Sequence, residues 1–398
     1  MKTTRFGFAI LATAGCSLAV AQAPYIDPAE DALHFGPPES ILFWKPDQQV
    51  AGYRNMEQIV PVRWIRAGDA PLLLPEKPMD LDSVVLESAA GAMTVEQYLE
   101  QQSVAGLLVI KDGSIVYERY GLGNNRDSRW ISYSVTKSVT SMLVGAAILD
   151  GYIESVDEKI SDYLPRLQGS AYDRVRIRDI LQMASGVAWD ETYADPEADI
   201  NQASWQTLDL YGYLAAKERT GKAGRVFNYN TAETNLVGSL LRAAVGNNLS
   251  TYLEEKIWKP FGMEDDASWG LTEPGGGEFG GCCINATLRD YGRLGLFALN
   301  SGRLASGEQV LPEAWMRDST TPSKGSSRYG YLWWLGEGGV FEASGIFGQG
   351  IFINPTENLV IALHSARPEA SKDADWELQS QLYKAITKAV TQPKTTQQ

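Results

Sequence analysis

Ser134 and Lys137 are the residues whose types and spacing best support chemistry in this sequence. They bound its only S-x-x-K, Ser134-Val135-Thr136-Lys137. Residues three apart stack on one face of a helix, which sets the lysine amine beside the serine hydroxyl. An amine withdrawn from water binds its proton less tightly and can take one from serine. The hydroxyl would also stand at the positive end of the helix dipole, where a developing anion is favoured. Taken alone, the pair reads as an N-cap serine followed by a solvated first-turn lysine. Two further stretches argue for more. Tyr229, in Phe227-Asn228-Tyr229-Asn230-Thr231, precedes a helix, and a tyrosine beside an ammonium group can carry a lowered pKa and shuttle protons. In Ala343-Ser344-Gly345-Ile346-Phe347-Gly348-Gln349-Gly350, glycines interrupt a strand. That pattern reads as a simple bulge or as an exposed main-chain N–H able to bind an oxyanion.

The elements that must position these groups follow from periodicity. From Ser132 to Gly151, apolar Val135, Val139, Met142, Leu143, Ala146 and Leu149 recur at helical spacing, and Asp150-Gly151 supplies a stop. Ala105–Ile110 and Ser114–Tyr120 read as a hairpin around Lys111-Asp112-Gly113. Helices are predicted over Val175–Met183, Thr207–Lys217, Thr231–Val245, Leu249–Trp258, Leu288–Leu299 and Asp373–Val390. Trp189–Asn201 reads as an acidic surface loop. Strands return over Tyr329–Leu335, Val340–Ala343, Phe347–Ile353 and Leu359–His364. The pattern predicts an α+β fold: one antiparallel sheet completed by both chain ends, flanked by helices, with a mostly helical insertion at about 150–285. Residues 22–98, rich in proline, read as an irregular N-terminal extension, 99–390 as the main domain and 391–398 as a tail.

Composition excludes several classes. The chain of 398 residues is 44% hydrophobic and 21% charged, as in ordinary globular proteins. A net charge of -14 repels phosphate backbones, so nucleic acid is not expected as a partner. Lys2 and Arg5 precede an apolar run from Phe6 to Val20 closed by Ala19-Val20-Ala21. This reads as a signal peptide over 1–21 and predicts a periplasmic or secreted protein without a membrane span. Ala14-Gly15-Cys16 offers a weaker lipoprotein alternative. Beyond the leader stand Cys282 and Cys283, expected to be buried and unbonded because neighbouring cysteines pair rarely. His34 and His364 are the only histidines, and no C-x-x-C is present, so neither a metal nor a cofactor is expected.

Together the motifs resemble the serine β-lactamase-related hydrolases: class C β-lactamases, D-alanyl-D-alanine carboxypeptidases, related carboxylesterases and 6-aminohexanoate-dimer hydrolases. The likeness runs from about Ala105 to Leu363. It includes Ile180-Leu181-Gln182-Met183-Ala184-Ser185-Gly186, Ile257-Trp258-Lys259-Pro260-Phe261-Gly262-Met263 and Ala286-Thr287-Leu288-Arg289-Asp290-Tyr291-Gly292-Arg293-Leu294-Gly295. The resemblance implies Ser134 as an acylated nucleophile, Lys137 as its proton acceptor or electrostatic partner, and Tyr229 as general base and acid. It implies an oxyanion hole from the N–H groups of Ser134 and Ile346, with Ser344 and Gly345 beside the substrate. Thr231, where relatives have asparagine or serine, is expected to hydrogen-bond Lys137. Tyr193 falls in a loop similar to one that touches the scissile amide in the 6-aminohexanoate branch, or is an ordinary lid aromatic.

One departure matters: Ala343 stands where the third motif usually has a cation for a substrate carboxylate, with Arg293 and Arg367 as candidate substitutes. That points to esters or linear amides of small acids, cleaved through an acyl-enzyme. A β-lactamase or carboxypeptidase is the alternative within enzymes, and a non-catalytic ligand-binding relative is the alternative outside them. His364 reads as structural. Asp190 and Glu191 read as solvated loop acids. Of Trp333 and Trp334, one ring should enter the core and one the cleft, because strand neighbours face opposite sides.

Overall fold

The Val135–Leu149 helix forms where the apolar spacing requires it, and it is buried almost throughout. The computed structural model describes residues 23–88 and 91–392. The expected leader, Cys16 and residues 393–398 lie outside these. In chain order the strands are β1 (Val62–Ile65), β2 (Val85–Ser88), β3 (Gly91–Thr94), β4 (Val104–Lys111), β5 (Ser114–Tyr120) and β6 (Arg129–Ile131). They continue with β7 (Ala267–Gly270), β8 (Ile284–Thr287), β9 (Trp334–Leu335), β10 (Phe341–Ser344), β11 (Gly350–Asn354) and β12 (Leu359–Ser365).

The main sheet is antiparallel, ordered β5-β4-β12-β11-β10-β9, so both ends of the chain build it as expected. Its central strands β4, β12 and β11 are buried on both faces. Along β4, Leu108 and Ile110 join the core under the Val135–Leu149 and Leu288–Leu299 helices, while Leu107 and Val109 face the Asp373–Thr391 helix. Glycine allows the closest helix contact: a Cβ at Gly295 would lie 2.4 Å from Val360.

Three sequence expectations change. The segment up to Tyr98 is not irregular; it carries short helices over Pro46–Tyr53 and Val95–Gln101, the β2–β3 hairpin, and β1. A second antiparallel sheet, β1-β7-β8-β6, accompanies the first. The long-range pairing of β1 with β7, Trp64 opposite Ser268, has no local sequence signature. Cys282 and Cys283, expected to be buried and unbonded, are half-buried and joined in a disulfide. Cys282 N–H donates to Phe279 O (3.0 Å), closing a turn at the start of the pair.

This second sheet anchors the nucleophile helix. Ser132 N–H donates to Ile284 O (2.9 Å), and the Ile284 N–H returns bonds to Ser132 Oγ (3.0 Å) and Thr136 Oγ1 (2.9 Å). The first turn of the helix is thereby locked against β8.

Candidate active site

Ser134 sits at the first turn, 8% exposed, and its hydroxyl makes no cap bond to the helix. Instead Lys137 Nζ donates to Ser134 Oγ at 2.8 Å and to Gly281 O at 2.9 Å. Lys137 is 1% exposed, and burial pulls its pKa down to about 7, with the Glu191 charge opposing the shift. The residue before the nucleophile, Tyr133, holds φ 44, a left-handed conformation uncommon for a side chain of its size. Backbone strain of this kind gathers at functional sites.

Asn230 caps the Thr231–Val245 helix by accepting from Glu233 N–H at 3.0 Å. Tyr229 therefore enters from just before that helix, with its ring 5.2 Å from Lys137 Nζ and its hydroxyl a hydrogen-bonding neighbour of Ser134. Its pKa is not lowered. Burial first, and then the Glu191 charge, push it above the ordinary phenol value, while Ser134 draws it down. Behind Tyr229 stands an aromatic wall. Trp334 stacks on it at 5.8 Å, and Tyr329 meets Trp334 edge-on at 4.8 Å. Trp333 is buried in the core as expected, although the strand expected over Tyr329–Leu335 is confined to Trp334–Leu335.

Past the end of β10, a Cβ at Gly345 would lie 2.6 Å from Ser132 O. Glycine there lets the strand end press against the segment before the nucleophile. Among the described residues, neither the Ser134 N–H nor the Ile346 N–H has a protein acceptor. Ser344 takes another direction, sharing a strand face with Glu342, whose carboxyl is pushed up to about 7 by burial and drawn down by the Ser344 hydroxyl. Ala343 is buried in the core. Neither proposed cation replaces it. Arg293 is held by Asp290, Glu264 and Leu72 O, and Arg367 by Tyr98 and Gln379.

The acidic loop is where sequence reasoning missed most. Glu191 is half-buried and accepts from Trp189 Nε1, Tyr193 Oη (2.7 Å), Thr231 N–H (3.0 Å) and Thr231 Oγ1. Thr231 thus bonds Glu191, not Lys137. Trp189 packs edge-on against Trp205 (6.5 Å) and Tyr213 (6.4 Å), which folds the loop inward. Asp190 stays exposed, as expected. His364 is buried between Trp130 and Tyr291, its pKa pulled down to about 3 by burial, in keeping with a structural role. His34 pairs with Asp47 at 3.2 Å. Among the described residues, no cluster of three His, Cys, Asp or Glu side chains could hold a metal, and no helix is long and apolar enough to cross a membrane.

The arrangement joins a hydroxyl, a desolvated amine, a phenol and two unpaired N–H groups, the parts needed for acyl transfer. Comparison with known proteins shows the family and the fold. A family model described as Beta-lactamase matches residues 92–384. The 6-aminohexanoate-dimer hydrolase of Paenarthrobacter ureafaciens is 27% identical over 363 residues, 85% of this chain and 90% of that protein. A solved Bacillus anthracis structure assigned as a 6-aminohexanoate-dimer hydrolase superposes with a TM-score of 0.78 at 23% identity, covering 86% of this chain and 94% of that one. A family VIII carboxylesterase superposes at 0.55 with 15% identity, covering 72% and 93%.

Proposed function

This chain belongs to the Beta-lactamase family, and from that premise we propose that it is an exported serine hydrolase cleaving esters or linear amides through an acyl-enzyme on Ser134. The observation that carries the reading is the 2.8 Å contact between two buried groups, Lys137 Nζ and Ser134 Oγ, with the amine pKa pulled down to about 7. Near neutral pH much of the amine is uncharged, and its lone pair accepts the serine proton as Oγ attacks the substrate carbonyl. The Ser134 and Ile346 N–H groups receive the oxyanion; removing one such donor typically costs about 3–4 kcal/mol of transition-state stabilisation. Tyr229, protonated at working pH, gives its proton to the leaving oxygen or nitrogen and recovers one from Lys137, which holds the proton taken from Ser134. Water then repeats the sequence against the acyl-enzyme.

Ala343, with Arg293 and Arg367 engaged elsewhere, leaves a substrate carboxylate without an evident cation. The name of the Paenarthrobacter relative supports linear amides of aminohexanoate type, and that of the carboxylesterase supports esters. The test is intact-mass detection of a Ser134 adduct across p-nitrophenyl esters, aminohexanoate-type amides and nitrocefin, with Ser134→Ala as control. Turnover of ester or linear amide with a Ser134-dependent adduct supports the reading. Turnover of nitrocefin alone replaces it with a β-lactamase. No adduct with any substrate leaves a binding protein. Export rests on the basic, apolar and small-residue run over 1–21, and N-terminal sequencing of the secreted or periplasmic protein tests it.

A further inference from the structure

The stretch from Gly280 to Ile284 packs directly against the nucleophile helix, and nearly every main-chain group in it is committed. Gly280 N–H donates to Asn235 Oδ1 (2.9 Å), and Gly280 O accepts from Thr140 Oγ1 (2.7 Å). Gly281 O accepts from Lys137 Nζ (2.9 Å), and a Cβ there would lie 2.4 Å from Thr234 Oγ1. Cys282 O accepts from Trp269 Nε1 (2.9 Å), and Cys283 O from Gly270 N–H (3.1 Å). The disulfide between Cys282 and Cys283 therefore begins one residue from a carbonyl that holds the proposed base. Both cysteines are half-buried, so small reagents can reach them from solvent. A disulfide between chain neighbours ties the two residues into one small ring. Opening it returns rotational freedom to the backbone directly bonded to Gly281.

We propose that Cys282–Cys283 is a reversible thiol-modification site beside the nucleophile helix, taking small dithiols, and that its state sets how Gly281 holds Lys137. A dithiol reductant opens it in two exchanges: one reductant thiolate attacks a cysteine sulfur and forms a mixed disulfide, releasing the other cysteine as a thiolate. The second reductant thiol then displaces the first cysteine. The reductant leaves as its own disulfide, two electrons oxidised, and the protein gains two electrons and two protons as a pair of thiols. The consequence for catalysis rests on the hydrolase reading; the site itself and its coupling to Lys137 do not.

The test uses the full-length mature protein, with three readouts. Iodoacetamide is applied before and after dithiothreitol, with mass mapping of the 282–283 peptide. No alkylation before reduction and two alkyl groups after it support the site; alkylation of both residues without reduction overturns it. In protein carrying ¹³C-lysine, the Lys137 Cε resonance, assigned by its loss in Lys137→Met, is followed through reduction. A shift in the parent that is absent in Cys283→Ala and in the Cys282→Ser/Cys283→Ser double variant supports the coupling; an unmoved resonance overturns it. Fluorophosphonate labelling of Ser134 should change about threefold or more between the two states. Absence of labelling in both states would instead count against the hydrolase reading, and the first two readouts would still decide this proposal.

Discussion

Two buried cations receive opposite treatment in this fold. Lys137 meets neutral acceptors, Ser134 Oγ and Gly281 O, and the nearby acid, Glu191, spends its hydrogen bonds on Trp189, Tyr193 and Thr231. Arg293, 2% exposed, is enclosed by Asp290 (3.0 Å), Glu264 (2.8 Å) and the Leu72 carbonyl (3.1 Å from Nε). Burial is equal; the carboxylates are not. A cation ringed by carboxylates is a structural cross-link, whereas an amine buried among neutral groups is ready to exchange its proton.

The comparison breaks most easily at its reactive end. Ser134→Ala and Lys137→Met should each reduce ester turnover by about 10⁴-fold or more. Lys137→Met should keep or raise the thermal midpoint, because it removes a buried amine that lacks a carboxylate partner. Scanning calorimetry beside the assay checks both halves; a large loss of stability in Lys137→Met would make the lysine structural after all. Arg293→Met should do the reverse, costing about 3–5 kcal/mol in urea unfolding by stranding Asp290, while turnover per folded molecule stays unchanged.

The pH dependence sharpens the contrast. With the Lys137 pKa near 7, kcat/KM should rise with pH on an acid limb centred near that value, as the amine loses its proton. Its folded value lies below the ordinary 10.5, so the unfolded chain binds more protons between these values and stability should climb with pH across that window. Lys137→Met should flatten this slope in unfolding midpoints measured over the same range. Glu191→Gln should move the acid limb of kcat/KM to lower pH, since the Glu191 charge favours the ammonium form. An unmoved limb would separate Glu191 from the base. The smallest effect is expected for Thr231→Val, a loss of about fivefold or less in kcat/KM from one missing donor to Glu191.

The division between what the sequence disclosed and what it concealed follows the range of the interactions. The contact of Ser134 with Lys137 was readable because three-residue spacing on an apolar helix is a local fact. The Thr231–Val245 and Leu288–Leu299 helices match their predicted limits for the same reason. Glu191 was not readable. Its loop is acidic and turn-rich, and it folds inward because Trp189 packs on Trp205 and Tyr213. That inward fold also takes Thr231 away from Lys137. β1 was hidden because its partner, β7, lies far along the chain. The cysteine pair was misread because neighbouring side chains usually diverge, and nothing in the local sequence marks this pair as an exception.

The central seam of the main sheet pairs β4 with β12, setting Leu107 opposite Leu363, and β10 reaches that seam through β11. A ribosome delivers the nucleophile helix and Tyr229 well before it delivers Leu359. A chain halted in between contains the reactive side chains, yet lacks the β12 strand that seats β11 and β10 in the sheet. Pairing of such distant partners is slow and waits for the whole polypeptide. The proposed catalytic centre thus cannot be complete before the late strands are made, and an incomplete product of translation should be inert.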